Sequence, residues 1–331
     1  MGTDVEFTER PDGQIDARLT LMRVLNVNGT ISAVNLTASR PETRRERRVP
    51  AWAAALFDQL SRELPSVVTL DDVALGLQSS GTSRSPESAV RELRRLGWLE
   101  PLPVHGAWTF MPAGQSSLAD PYLSLRAWLA VDPTAGLMLA GAASAWHLGY
   151  LDRQPAGRTD IWLPAETRLP DGLRPFASVS RIRWHAASRA HLTPSRHFLI
   201  RRKLDLLRWA DGLPAFGPEA LLAQLAIRPS SFGPWTDLVA HLPVLVGDCD
   251  DTNLCALLEG KASAAWQRAA YIVHAGGSLE RGMQVLARRP DESMSKARFN
   301  VGGIDLEGVW SADFQVLDTV IAPLQAVTRK A

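Results

Sequence analysis

Apolar residues recur at helical spacing from Pro50 to Leu64, where Trp52, Leu56, Leu60 and Leu64 share one face and Pro50 suits a first turn. Ser66-Val67-Val68-Thr69 predicts a short strand, and Asp71 to Leu77 a helix capped by Thr69 or Asp71. Gly81-Thr82-Ser83-Arg84 predicts a turn and Ser85 to Leu96 a second helix. Trp98 to Leu102 and Ala107 to Met111 then predict two short strands, reversed around Pro103-Val104-His105-Gly106. Strand, two helices and a hairpin in this order predict a winged helix, which sets its second helix in the DNA major groove and its hairpin beside the backbone.

From Tyr122 onward the pattern mixes the two periods. Tyr122–Leu129, Leu139–Leu148, Pro218–Ala226, Trp235–Leu245, Thr252–Leu258 and Ser263–Ala275 read as helices, whereas Thr159–Leu163 and Val179–Trp184 alternate like strands. Val309 to Leu317 fits strand or helix equally. The fold class expected is α+β: an N-terminal winged helix-turn-helix followed by a mixed α/β C-terminal domain. Boundaries fall at 1–48 for an extension, 49–112 for the winged unit, 113–121 for a Pro-, Gly- and Ser-rich linker and 122–331 for the second domain. In the extension, Leu19–Val27 and Ile31–Leu36 suit a hairpin around Asn28-Gly29, although the composition equally suits a loosely ordered arm.

The helix from Ser85 carries the strongest chemical signal. Ser85 suits the N-cap, Pro86 the first helical position, and Glu87 the positive end of the dipole. Ala89, Val90, Leu93 and Leu96 form the apolar stripe, and Gly97 ends the helix. Ser88, Arg91 and Arg95 line the other face, with Arg84 just ahead and Arg94 to one side. Arginine reaches guanine O6 and N7 with two hydrogen bonds. Glu87 and Glu92 dilute this charge, so a merely solvated face is the competing reading. His105 at the hairpin tip is placed to touch a phosphate or to sit exposed in its loop.

Charge elsewhere is local. The 331 residues carry a net charge of only +1, so the chain as a whole offers no nucleic-acid signal. Arg44, Arg45, Arg47 and Arg48 close the extension as a basic arm suited to phosphates, or as a solvated tail. A second basic surface is expected from Arg181, Arg183, Arg201, Arg202 and Lys203, within a run from Arg174 to Arg208 that contains a single acid, Asp205. Its partners would be phosphates, an acidic toxin or that toxin's nucleic-acid substrate; a solvated, exposed sheet face is the competing reading. Two cysteines, Cys249 and Cys255, suit a reducing compartment. Without a basic-then-apolar start or a membrane-length apolar run, a cytoplasmic location is expected.

Three passages resemble the AbiEi-type antitoxins of bacterial toxin–antitoxin pairs. They are Ser83 to Leu93 running into Leu96-Gly97-Trp98-Leu99, the small-residue stretch Leu139 to Gly149, and Gly212-Leu213-Pro214-Ala215-Phe216-Gly217-Pro218-Glu219-Ala220-Leu221-Leu222. The resemblance implies a transcriptional autorepressor that binds double-stranded DNA of its own promoter through the winged helix. It also implies a second domain linked with antitoxicity against a neighbouring nucleotidyltransferase-like toxin. A non-catalytic module that grips a partner toxin directly, its winged helix purely structural, is the alternative.

No cofactor, metal or membrane is implied, and an enzyme is not expected. Asp248-Cys249-Asp250 superficially resembles a paired-carboxylate metal site, but Asp250 and Asp251 precede a helix that they suit as caps. Glu259-Gly260-Lys261 sits at a helix end, the two cysteines lack zinc spacing, and Gly276-Gly277 reads as a helix stop rather than a phosphate loop. His147, beside Trp146 in the small-residue helix, reads as a satisfied core or edge histidine rather than a ligand.

Overall fold

The computed structural model describes residues 5–9, 15–19, 49–63, 67–111, 120–192, 213–290, 293–301 and 306–328. Residues 1–46 and 47–331 form separate units. In the first, β1 (Val5–Glu9) and β2 (Ile15–Leu19) pair antiparallel with Val5 opposite Leu19. The hairpin expected around Asn28-Gly29 and the linker from 113 to 119 lie outside the described residues.

The second unit begins with a 3-10 turn that runs into α1 (Ala54–Glu63), followed by β3 (Val68–Thr69), α2 (Leu70–Ser79) and α3 (Pro86–Arg95). Thr69 and Asp72 close a capping box on α2: the Asp72 amide donates to the Thr69 hydroxyl and the Asp72 carboxylate accepts from the Thr69 amide. The hairpin β4 (Leu99–Pro101) and β5 (Ala107–Phe110) follows, and β5 lies between β3 and β4 with both pairings antiparallel. Leu56, Phe57 and Leu60 of α1 pack with Val73, Leu77, Ala89, Val90, Leu93, Trp98 and Phe110 in one apolar cluster. Within it Phe57 meets Trp98 edge-on at 4.6 Å, an arrangement worth roughly 0.5–1.5 kcal/mol beyond its buried area.

A larger cluster occupies the rest of the unit. Its elements are α4 (Leu123–Val131), β6 (Met138–Leu139), α5 (Gly141–His147), β7 (Thr159–Trp162) and β8 (Ala177–Ser180), with β7 antiparallel to β6 and parallel to β8. Next come α6 (Pro218–Ile227), α7 (Trp235–Asp248), α8 (Asp251–Leu258), α9 (Ser263–Gly276) and α10 (Leu279–Ala287). A small sheet of β9 (Ala297–Phe299), β10 (Val309–Ser311) and β11 (Val316–Asp318) precedes α11 (Ile321–Thr328). The central element is α6, buried from Ala220 to Ala226 and packed against α7, α8 and α9. Its C-terminal carbonyls, Ala226 and Ile227, accept from the Arg268 guanidinium of α9.

Several expectations need correction. The stretch Leu139–Leu148 is not one helix: Leu139 is in β6 opposite Ile161, and α5 starts only at Gly141. Leu139 also donates to Pro214 O at 2.8 Å and accepts from Phe216 N at 2.9 Å, so a distant segment takes its backbone. The strand expected over Val179–Trp184 ends at Ser180, where its partner β7 ends at Trp162. Beyond it Ile182 O accepts from the Trp162 indole N–H at 2.6 Å, which replaces a ladder bond. Val309 to Leu317 resolves as β10 and β11, turned through Gln315 at φ 53°. No expectation covered α10, β9 or α11.

Two polar groups in this core carry consequences. Gln224, 3% exposed on α6, accepts the Gly141 amide at 2.9 Å and so satisfies the start of α5. Gln224→Met keeps the bulk and removes that acceptor; a loss of about 1–3 kcal/mol in urea unfolding is expected, and an unchanged midpoint would count against this account. His147, 7% exposed, has its pKa lowered from 6.5 to about 4, first by burial and then by the Arg126 charge. The unfolded chain takes up that proton below pH 6.5 and the folded chain only below about 4, so the contribution of neutral His147 is whole above 6.5 and drains away as pH falls towards 4. Unfolding at pH 7 and 4.5 is expected to show wild type losing on the order of 2 kcal/mol more than His147→Gln, since each pKa unit is worth about 1.4 kcal/mol. Equal losses would remove the assignment.

Candidate functional site

The local sequence builds α3 as read. Ser85 is extended at the N-cap and its hydroxyl accepts the Ser88 amide at 3.3 Å; Pro86 opens the helix and Glu87 occupies its first turn. Ala89, Val90 and Leu93 are buried against the neighbouring helices. That orientation leaves Ser88, Arg91, Arg94 and Arg95 exposed on the opposite face. At the far end Gly97 takes φ +76°, a left-handed conformation that releases the chain into β4.

Arg91, Arg94 and Arg95 line an open groove together with Leu99 and Pro101 of β4. Leu99 and Pro101 were not expected at the site. Pro101 lies on the outer strand of the sheet, where its missing N–H leaves no gap in an inner ladder. Among the described residues, none of the three arginines is in an ion pair. Glu92, which dilutes the charge of the helix in the sequence, is occupied by Arg84. The Arg84 guanidinium also lies over the Trp52 ring at 4.4 Å. Arg84 is therefore tied into the fold, unlike the three arginines of the groove. Trp52 was legible only as a core position of the preceding helix; nothing in its spacing marks it as a platform.

His105 is exposed on the turn between β4 and β5. Arg181 and Arg183 are exposed while Ile182 and Trp184, which alternate with them, are buried, so the alternation persists without a paired strand among the described residues. Lys261 donates to the Arg183 carbonyl and lies 5.3 Å from the Trp184 ring centroid; burial lowers its pKa. Arg44, Arg45, Arg47, Arg48, Arg201, Arg202 and Lys203 lie outside the described residues.

The carboxylates weighed as catalytic are used structurally. Asp248 accepts from the Tyr150 hydroxyl at 2.7 Å, Asp250 caps α8 through the Asn253 amide at 2.9 Å, and Asp251 pairs with Arg281 at 2.7 Å. Glu259 stands at the C-cap of α8. Among the described residues no group of three or more His, Cys, Asp or Glu is arranged to hold a metal ion, and no helix is long and apolar enough to cross a membrane.

These features define an α+β protein in which a small helix-and-hairpin unit with an arginine face precedes a larger helical region. Residues 134–275, from β6 through most of α9, match the AbiEi antitoxin C-terminal domain. A crystal structure of the RV2827C protein from Mycobacterium tuberculosis is 53% identical, with a TM-score of 0.75, over 86% of this chain and 97% of that one. The chain belongs to the AbiEi-type antitoxin family. No protein of curated function matches it.

The pairing of Arg84 with Glu92, both about a third exposed, is expected to couple them by roughly 0.5–1 kcal/mol. A double-mutant cycle of Arg84→Ala and Glu92→Ala in urea unfolding measures it. Additive losses would show that the contact contributes nothing.

Proposed function

We propose that the protein is a DNA-binding transcriptional autorepressor that serves as the antitoxin of a toxin–antitoxin pair in the bacterial cytoplasm. Residues 49–112 act as a winged helix-turn-helix, with α3 as recognition helix and β4–β5 as wing. The observation that carries the reading is the arginine groove. Three cations without acidic partners among the described residues stand on the exposed face of a capped helix, beside a hairpin in the sheet order β3-β5-β4. Arg91 and Arg95 read base edges, while Ser88, Arg94 and His105 engage phosphates. Ser85 caps the helix beside them. Arg84 is assigned to holding α3 rather than to touching bases, because Glu92 and Trp52 occupy its guanidinium.

The region from residue 122 onward opposes a nucleotidyltransferase-like toxin, in keeping with the antitoxin family. The exposed pair Arg181 and Arg183 favours a second reading for that region, in which it grips an acidic partner directly.

Fluorescence anisotropy against the promoter fragment and a shuffled control, at several salt concentrations, tests the proposal. Wild type is expected to prefer the promoter. Arg91→Ala and Arg95→Ala should each weaken that preference roughly 5- to 150-fold, corresponding to about 1–3 kcal/mol per guanine contact. Arg94→Ala should weaken both fragments alike and lower the salt slope by about 1. Equal binding of wild type to both fragments would retire sequence reading, and no binding to either would leave the partner-protein role.

A further inference from the structure

We infer that Val104 and Gly172 are positioning residues that fasten the hairpin to the large C-terminal core, so that this core sets where the hairpin stands relative to α3. The inference rests on the proposed DNA-reading role and deepens it.

A hairpin tip ordinarily projects into solvent, and the run Pro103-Val104-His105-Gly106 reads as such a tip. Yet Val104 is only 7% exposed, and the residues around it belong to the larger apolar cluster rather than to the one shared by α1, α2 and α3. Ala107, 1% exposed, enters the same larger cluster, and Leu102 packs against it. The hairpin thus divides its side chains: Trp98, Leu99 and Phe110 hold the small core, while Val104 and Ala107 hold the large one.

The facing element is a 3-10 turn, Asp171–Leu173, that leads towards β8. Leu173 is fully buried in the larger cluster and its amide donates to Pro170 O at 3.0 Å, which fixes the turn. Gly172 then meets the hairpin backbone itself. A methyl group there would overlap the Pro103 carbonyl oxygen and lie 3.1 Å from the carbonyl carbon and 3.6 Å from Cα. Those atoms are backbone, so no rotamer change relieves the contact: either the turn carrying Gly172 or the hairpin tip must shift. His105, next to the buried Val104, is carried with the tip.

Gly172→Ala is the direct test, with Val104→Ala as a milder variant should the first fold poorly. In the free protein, hydrogen exchange reads the anchor. The Ala107 amide, bonded to Val104 O, should exchange faster in Gly172→Ala while the amides of α3 keep their protection. Unchanged exchange at Ala107 in both variants would overturn the anchor, whatever the protein binds.

Promoter anisotropy reads its consequence. Gly172→Ala should weaken binding about fivefold or more, the scale of one lost charge-assisted hydrogen bond. In that background His105→Ala should cost nothing further, whereas Arg91→Ala should add its full penalty. A merely structural role would let the losses from Gly172→Ala and His105→Ala add, and that result overturns the proposal, as does a His105→Ala protein that binds like wild type. Wild type that does not prefer its promoter, with faster Ala107 exchange in Gly172→Ala, would reject the DNA reading and the positioning role built on it.

Discussion

The large region depends on a junction between two passages some seventy residues apart. Leu139 exchanges backbone hydrogen bonds with Pro214 and Phe216, the Ser144 hydroxyl donates to Phe216 O at 2.8 Å, and Gln224 accepts the Gly141 amide. The constraint is one of polar satisfaction. Helix α6 is buried along nearly its whole length, and α5 is a short helix in which every residue is buried. Where these helix ends are buried, their backbone groups need protein partners. Small residues at Gly141, Ala142, Ala143, Ser144 and Ala145 let the backbones approach closely enough for those bonds to form. Two of the passages that resemble AbiEi antitoxins are the two halves of this contact.

From that junction the arrangement runs outward to the hairpin. Leu139 pairs with β7, β7 with β8, and the turn carrying Gly172 and Leu173 lies just ahead of β8. The hairpin therefore belongs to two cores at once, one built by the three N-terminal helices and one by the antitoxin region. The hairpin is thereby held from two sides, by Trp98, Leu99 and Phe110 in the small core and by Val104 and Ala107 in the large one.

The electrostatics of the small unit follow the same economy. Several acids of this weakly charged chain are committed to caps and ion pairs. Glu92 faces Arg84, and Asp72 is consumed in a helix cap. Further along, Asp120 takes Arg126 and Asp251 takes Arg281. In the buried interior, desolvation keeps His147 neutral at physiological pH rather than leaving it as another cation. Beside the groove, Glu92 is engaged by Arg84, while Arg91, Arg94 and Arg95 stand in no ion pair among the described residues.

Periodicity and capping rules located α1, α2, α3 and the hairpin because each is governed by residues within a few positions of one another. Ser85 and Pro86 start a helix, Gly97 ends it, and Ala89, Val90 and Leu93 choose its buried face, so the exposure of Arg91, Arg94 and Arg95 was legible without coordinates. Asp250 as a helix cap and His147 as a core residue were legible for the same local reasons. Tertiary structure alone decided what depended on a distant partner. Leu139 became a strand residue because β7 and Pro214–Phe216 claimed its backbone, and β8 stopped at Ser180 because its neighbour did. Arg84 was withdrawn from the exposed face because Trp52 and Glu92 lay within reach, and Val104 was drawn inward because a second core stood behind the hairpin. Short-range rules set conformation and the facing of side chains; burial and hydrogen-bond satisfaction between distant segments set which of those faces remained free.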